Sequence, residues 1–172
     1  GVAQGCCLSA VAFILFCHNL GECFKHEGVL LGGTIIKYIQ YADDLVILDD
    51  SPNELRMAIE NLKQYCEQNK LTINADKTNC MIFRKGRIGE TEKTYMLGDV
   101  QLQIVSEFCY LEFTFTPQLS FSNHLKKVNA KAKSRIGLLY SRLPLNNMTM
   151  DTCIKLFEIY IVPLYRYGLP LW

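Results

Sequence analysis

Apolar and polar positions along this chain follow first one period and then another. Ile35, Ile36, Tyr38 and Ile39, then Leu45, Val46, Ile47 and Leu48, flank Tyr41-Ala42-Asp43-Asp44. Two β-branched runs around a short polar centre predict a β-hairpin with its carboxylates at the turn. The unbroken run Leu45–Leu48 predicts a strand covered on both faces. Upstream, Leu8–Leu20 carries apolar residues on several sides and ends before Gly21, which predicts a buried rather than amphipathic helix. The segment Gly28–Gly33 leads into the hairpin.

Downstream, Ser51-Pro52-Asn53-Glu54 is a helix start: Ser51 as N-cap, Pro52 at the first position, Glu54 closing a capping box. Leu55, Ile59, Leu62 and Cys66 form the apolar stripe of a helix running to about Asn69. Leu71–Ile73 and Asn79–Phe83 read as short strands, 84–94 as an exposed loop, and 95–116 as two more strands. From Ser122 the period becomes helical. Leu125, Val128, Ala132, Ile136, Leu139 and Leu143 share a face until Pro144 ends the helix. Another helix spans about Thr149–Ile161 and stops before Pro163. The elements predict an α+β fold.

Charge changes the picture by its distribution. Residues 1–112 hold 10 Lys+Arg against 15 Asp+Glu, whereas 113–150 hold six basic residues and no acid. Lys127, Lys131, Arg135 and Arg142 line one flank of the long helix; Lys126 and Lys133 lie on the other. A wholly basic segment following an acidic one points to a polyanionic partner, and a solvated helix face is the plainer alternative. The eight cysteines include no C-x-x-C pair, and the three histidines add no zinc spacing. Reduced thiols in an intracellular protein are expected, in nucleus or cytoplasm and not secreted. No apolar run is long enough to span a membrane, and there is no signal peptide. Starting at Gly1 and stopping at Trp172 inside an apolar stretch, the sequence reads as a piece of something longer.

The candidate chemistry sits at Asp43 and Asp44. Adjacent carboxylates repel, and burial disfavours their charged form. A bound divalent cation reverses that penalty, and hard oxygen donors without His or Cys suit Mg²⁺. Mg²⁺ so held commonly carries phosphates, which suggests phosphoryl-transfer chemistry. Two aspartates at a turn are also ordinary turn residues on a solvated surface. Lys77 is a surface lysine, a proton donor or a phosphate contact.

Four stretches, in order, resemble the reverse transcriptases of non-LTR (LINE-like) retrotransposons. Gly1-Val-Ala-Gln-Gly5 with Leu8-Ser9 looks like the G-x-P-Q-G-x-x-L-S block, and Tyr41-Ala-Asp-Asp44 like the Y/F-A-D-D hairpin. Leu71-Thr-Ile-Asn-Ala-Asp-Lys-Thr78 is similar to the L-x-x-N-x-x-K-T block, and Phe108-Cys-Tyr-Leu111 to the F-x-Y-L-G segment that grips the primer. Ala3 stands where the family usually has Pro, and Glu112 where it usually has Gly.

The resemblance implies a partial polymerase palm, an antiparallel sheet with packed helices, over 1–116. A basic, helical, thumb-like segment follows over 117–172. It implies RNA-directed DNA synthesis from an RNA template, a DNA primer and deoxynucleoside triphosphates, with two Mg²⁺ ions (Mn²⁺ in substitution) about 3.5–4 Å apart. By resemblance, Asp43 is a principal metal ligand and Asp44 an auxiliary one. Lys77 assists near the leaving pyrophosphate, and Gln4 and Gly5 line the template–nucleotide pocket. Tyr41, Ala42, Tyr110 and Leu111 face the primer, and Lys127, Lys131, Arg135 and Arg142 meet the nucleic-acid backbone. The family supplies another metal-binding Asp from a strand before the Q-G block, so the missing N-terminal part of the same polymerase is an expected partner, and no membrane is. A domesticated, catalytically dead nucleic-acid-binding remnant and another palm-type phosphotransferase, such as a nucleotide cyclase, are the alternatives.

Overall fold

The computed structural model describes residues 8–84, 94–144 and 147–171. They form a mixed fold of helices and small antiparallel sheets, and fall into two compact units. The first contains residues 8–80 and 94–103, and the second residues 81–84 and 104–171.

The first unit is built around helix α2, Pro52–Gln68, which follows α1, Ser9–Phe16. The sequence dictates where α2 starts. Ser51 Oγ accepts from the Glu54 amide at 3.5 Å, and Pro52 occupies a position whose N–H no helix needs. The other half of the expected capping box belongs to Asp49, not Glu54: Asp49 Oδ1 accepts from the Ser51 amide at 2.6 Å. Lys70, at φ 55°, closes the far end, and the Leu71 amide donates back to Cys66 O.

One side of α2, through Ala58, Tyr65 and Cys66, packs on Cys17, Leu20 and Phe24, with Leu45 and Ile47 against the cluster. Its other side, through Leu55 and Ile59, covers Cys80, Tyr95 and Leu102. Those belong to a three-stranded sheet of β5 (Asn79–Cys80), β7 (Val100–Ile104) and β6 (Tyr95–Leu97), in the order β5-β7-β6. Leu71–Ile73 forms no strand. These residues leave the helix end and pack Leu71 and Ile73 on the first cluster without a ladder.

Two hairpins precede α2 where one was expected. β1 (Val29–Leu31) and β2 (Thr34–Ile36) pair around Gly32-Gly33, both at positive φ (55° and 83°). Glycine is the residue for which such a turn costs least. Ile35 and Ile36 therefore belong to the first hairpin. The second joins β3 (Tyr38–Tyr41) to β4 (Asp44–Ile47).

Two expectations about burial are corrected. Leu45–Leu48 is half-buried rather than covered on both faces, because β3 and β4 form a two-stranded sheet without a further strand among the described residues. α1 ends at Phe16, four residues early, and buries none of its residues. Leu8, Ile14 and Leu15 are each about two-thirds exposed. An all-round apolar helix needs cover on every side, and here only Phe13 reaches the core.

The second unit pairs a hairpin with helices. β8 (Phe108–Tyr110) and β9 (Phe113–Phe115) turn at Leu111-Glu112. The region 95–116 thus holds four strands rather than two. α3 spans Ser122–Arg142 and buries His124, Val128 and Ala132, close to the predicted stripe. α4 (Met150–Tyr160) starts on a Thr149 cap and gives way to α5 (Val162–Arg166) at Pro163. The Phe113 ring stacks on His124 at 4.7 Å and on Tyr167 at 5.2 Å. No helix among the described residues is long and apolar enough to cross a membrane. The six described cysteines are free, and burial pushes the Cys23 thiol up to about 11, with Cys66 nearby adding to the shift.

Candidate functional site

Four of the expected site residues lie on one two-residue turn. Tyr41 pairs with Asp44 across the last register position of β3 and β4, and Ala42 and Asp43 make the turn. Ala42 has φ 53°, a left-handed backbone that costs a residue with a Cβ about 1–2 kcal/mol. Gln40 Nε2 donates to Ala42 O at 3.1 Å and braces the strained residue. Such strain gathers at functional turns, where the surrounding structure enforces it.

Asp43 and Asp44 are exposed, and among the described residues neither carboxylate accepts a hydrogen bond or pairs with a cation. Tyr41 beside them is 64 % exposed. Two adjacent unpartnered carboxylates, with no thiol or imidazole beside them in the turn, fit a hard divalent cation. Among the described residues no group of three or more possible ligands comes together.

The turn is aimed by its base. Leu48 N donates to Lys37 O at 2.8 Å, extending the ladder past Tyr38 and Ile47. His26, 2 % exposed, and Asp49 sit against this base. Sequence reading passed over both: a lone His between Lys25 and Glu27 carries no spacing signal, and Asp49 reads as part of an acidic run.

Lys77 ends a 3₁₀ turn, Ala75–Lys77, set by Asn74, whose Oδ1 accepts from the Lys77 amide at 3.2 Å. It belongs to the same unit as Asp43 but to a separate element, and its exposed ammonium makes no ion pair among the described residues. Gln4 and Gly5 lie outside the described residues.

The remaining expected residues are in the second unit. Tyr110 ends β8, and Leu111 and Glu112 form the turn with φ 46° and 66°. Two consecutive left-handed residues suit Asn-Gly, so neither Leu111 nor Glu112 is the residue type that this turn costs least. Tyr167 Oη donates to Leu111 O at 2.9 Å and holds the turn.

The basic flank of α3 has protein partners, although no acid lies near it in sequence. Lys127 Nζ donates to Glu107 at 2.6 Å, and Lys131 Nζ to Glu112 at 2.7 Å. Arg135 donates to Tyr160 O at 2.8 Å. Arg142 is exposed and makes no ion pair among the described residues. Hydrogen bonds from Lys127 and Asn123 hold the Glu107 carboxyl below the usual range, and a hydrogen bond from Lys131 does the same for Glu112.

Two comparisons bear on these sites. Residues 1–115, more than half of the chain, match the family model described as reverse transcriptase (RNA-dependent DNA polymerase). A Caenorhabditis elegans protein named as transposon-derived is 22 % identical over 147 residues, covering 83 % of this chain and 50 % of that protein. The chain thus spans about half the length of the curated relative it matches.

Proposed function

We propose, from the premise that this chain belongs to the reverse transcriptase family, that it is part of the RNA-directed DNA polymerase of a non-LTR retroelement. One observation carries the reading. The Asp43 and Asp44 carboxylates stand exposed, and unpartnered among the described residues, at a strained two-residue turn of a hairpin anchored in the core. A carboxylate pair kept free of protein cations is available to a metal–phosphate complex.

On this reading residues 1–116 belong to the palm and 117–172 to a thumb-like segment. Asp43 is the principal ligand and Asp44 the auxiliary one for Mg²⁺, with Mn²⁺ as a substitute. When bound, the two ions of a complete site lower the pKa of the primer 3′-hydroxyl and neutralise charge on the leaving pyrophosphate. The chain's own residues position. The short turn fixes the carboxylates against the primer end, and Tyr41 and Ala42 form the surface on which its last nucleotide rests. Lys77 supplies charge toward the pyrophosphate. In the second unit, Tyr110 and Leu111 meet the primer strand and Lys127, Lys131, Arg135 and Arg142 meet phosphates. Protein catalysis here is placement and charge neutralisation. The partners are an RNA template, a DNA primer and deoxynucleoside triphosphates, together with the N-terminal part of the same polymerase, and the compartment is nucleus or cytoplasm.

The test is primer extension by the polymerase that carries these residues. Asp43→Ala is expected to remove extension while leaving primer–template binding near the parent value, because the ligand acts in the transition state. Each tenfold loss corresponds to about 1.4 kcal/mol, and several such steps are expected. Asp44→Ala is expected to be milder. Parent-level turnover by Asp43→Ala overturns the assignment. The 172-residue chain alone supplies too few ligands and is expected to extend nothing.

A further inference from the structure

We infer that His26 is a positioning residue for the Asp43–Asp44 turn, clamping the base of its hairpin through a single ring nitrogen. The inference deepens the proposed function and rests on it for the role of the carboxylates.

The clamp is built from contacts made by one short segment, residues 24–28. His26 Nε2 lies 3.2 Å from Lys37 O, just before β3, and 3.2 Å from Leu48 O, just after β4. With two carbonyl acceptors the hydrogen belongs on Nε2, which bridges the two strands below their last paired residues. Phe24, two residues earlier, stands edge-on to the His26 ring at 5.6 Å and lies against the Tyr38 ring at 4.9 Å, tilted by 34°. Phe24 O accepts from Lys37 Nζ at 3.2 Å. On the other side Asp49 Oδ2 accepts from the Gly28 amide at 2.9 Å and lies 4.0 Å from His26 Nε2. Asp49 Oδ1 holds the first turn of α2 through Ser51. Residues 24–28 thereby tie both strands of the hairpin to the helix that carries the core.

The clamp matters because it adds a side-chain tie at the open end of the ladder, where the Leu48 amide already donates to Lys37 O. Among the described residues β3 and β4 pair only with each other, and an isolated two-stranded hairpin is marginal in water. The turn itself is strained at Ala42 and gives no stability in return. Among the described residues His26 Nδ1 is buried without a partner, so Nε2 carries the polar role of the ring. A merely space-filling residue at this position would need no polar atom, and an apolar one would avoid that unpaired nitrogen.

The experiment uses the full chain and three variants. Gln can bring an amide nitrogen to the place of Nε2, Asn only to that of Nδ1, and Leu brings neither. Amide hydrogen exchange is read by NMR over Tyr38–Ile47, with α2 as the internal reference. In the same samples, broadening of the Asp43 and Asp44 amides by added Mn²⁺ reports the metal site.

For His26→Leu and His26→Asn we expect roughly tenfold faster exchange in the hairpin than in the parent, with α2 unchanged, and weaker Mn²⁺ broadening. His26→Gln is expected to restore both. Should the Leu variant fail to fold, Asn against Gln decides. Equal acceleration in the hairpin and α2, no acceleration at all, or rescue by Asn as good as by Gln overturns the clamp. Local acceleration with unchanged broadening overturns the positioning role. If the parent shows no broadening, the metal reading of Asp43 and Asp44 in this chain fails, and the positioning role fails with it, whereas the exchange data still decide the clamp.

Discussion

Lys131 Nζ lies 2.7 Å from a carboxylate oxygen of Glu112, tying the long basic helix to the two-residue turn between β8 and β9. Glu112 sits in left-handed backbone at φ 66°, so the acid is presented to the helix by a conformation that favours glycine. The pair is exposed on both sides, and exposed pairs contribute little to stability. Its consequences are for titration and for charge.

Lys131→Gln is expected to return the Glu112 carboxyl toward the ordinary glutamate value of 4.5. A depressed folded value means that the pair's contribution is present above that ordinary value and is lost as pH falls through the depressed one. Carboxyl titration by NMR in parent and variant checks this. An unchanged Glu112 midpoint would mean that the hydrogen bond is not formed in solution.

The same pairs predict how nucleic acid should bind. Replacing Lys127, Lys131 and Arg135 by Gln in the polymerase is expected to weaken primer–template binding alike for all sequences and to flatten its salt slope. On B-form DNA each phosphate contact accounts for about 0.9 in log K per decade of salt. Glu107→Gln with Glu112→Gln is expected to do the reverse, because the two carboxylates occupy the ammonium groups that phosphates would meet. Binding isotherms over a salt series test both, and superimposable lines for all variants would remove α3 from the interface.

His124 predicts a pH dependence in the second unit. Burial first, then the positive charges of Lys131 and Lys127, hold it below its ordinary 6.5. A lowered folded value favours the neutral ring in the fold. Stability is therefore complete above about 6.5 and is lost as pH falls through the folded value. Urea melts from pH 8 to pH 5 should show that loss, and His124→Gln should remove this share of the slope. An NMR titration of the His124 ring at or above 6.5 would contradict it.

Gly168 is fixed by its neighbour. It has φ 69°, and a Cβ added there would collide with the Phe113 ring. Gly168→Ala is expected to cost about 3 kcal/mol, from left-handed strain of ~1–2 and overpacking of ~1–3. Chemical denaturation measures it, and a loss under about 1 kcal/mol would mean that the ring moves aside freely.

These features differ in how far the sequence announces them. α2 was legible because its start is chemical: Ser51, Pro52 and Glu54 act within one turn. The carboxylate turn was legible for a similar reason, two apolar runs around four residues. The Gly32-Gly33 turn carried an available signal, a glycine pair between apolar residues. The Leu111-Glu112 turn carried none, because neither residue type favours its backbone. The partners of Lys127 and Lys131 lie 20 and 19 residues away, across a hairpin whose register no local pattern fixes. For α1, composition gave apolarity but not what covers it. His26 is visible only once Lys37 O and Leu48 O are side by side.

The two-residue turn at Ala42-Asp43 also sets a timescale. A long loop could swing its carboxylates over nanoseconds while its strands stayed still. Here the paired ladder runs up to Tyr41 and Asp44 themselves. The backbone of Asp43 and Asp44 can leave its place only if the hairpin tilts or unzips as a body, a motion of microseconds or slower, while the exposed carboxylates still change rotamer within nanoseconds. Fast probes of the backbone amides should therefore find this turn as quiet as the core, and relaxation-dispersion measurements are where its movement would be seen.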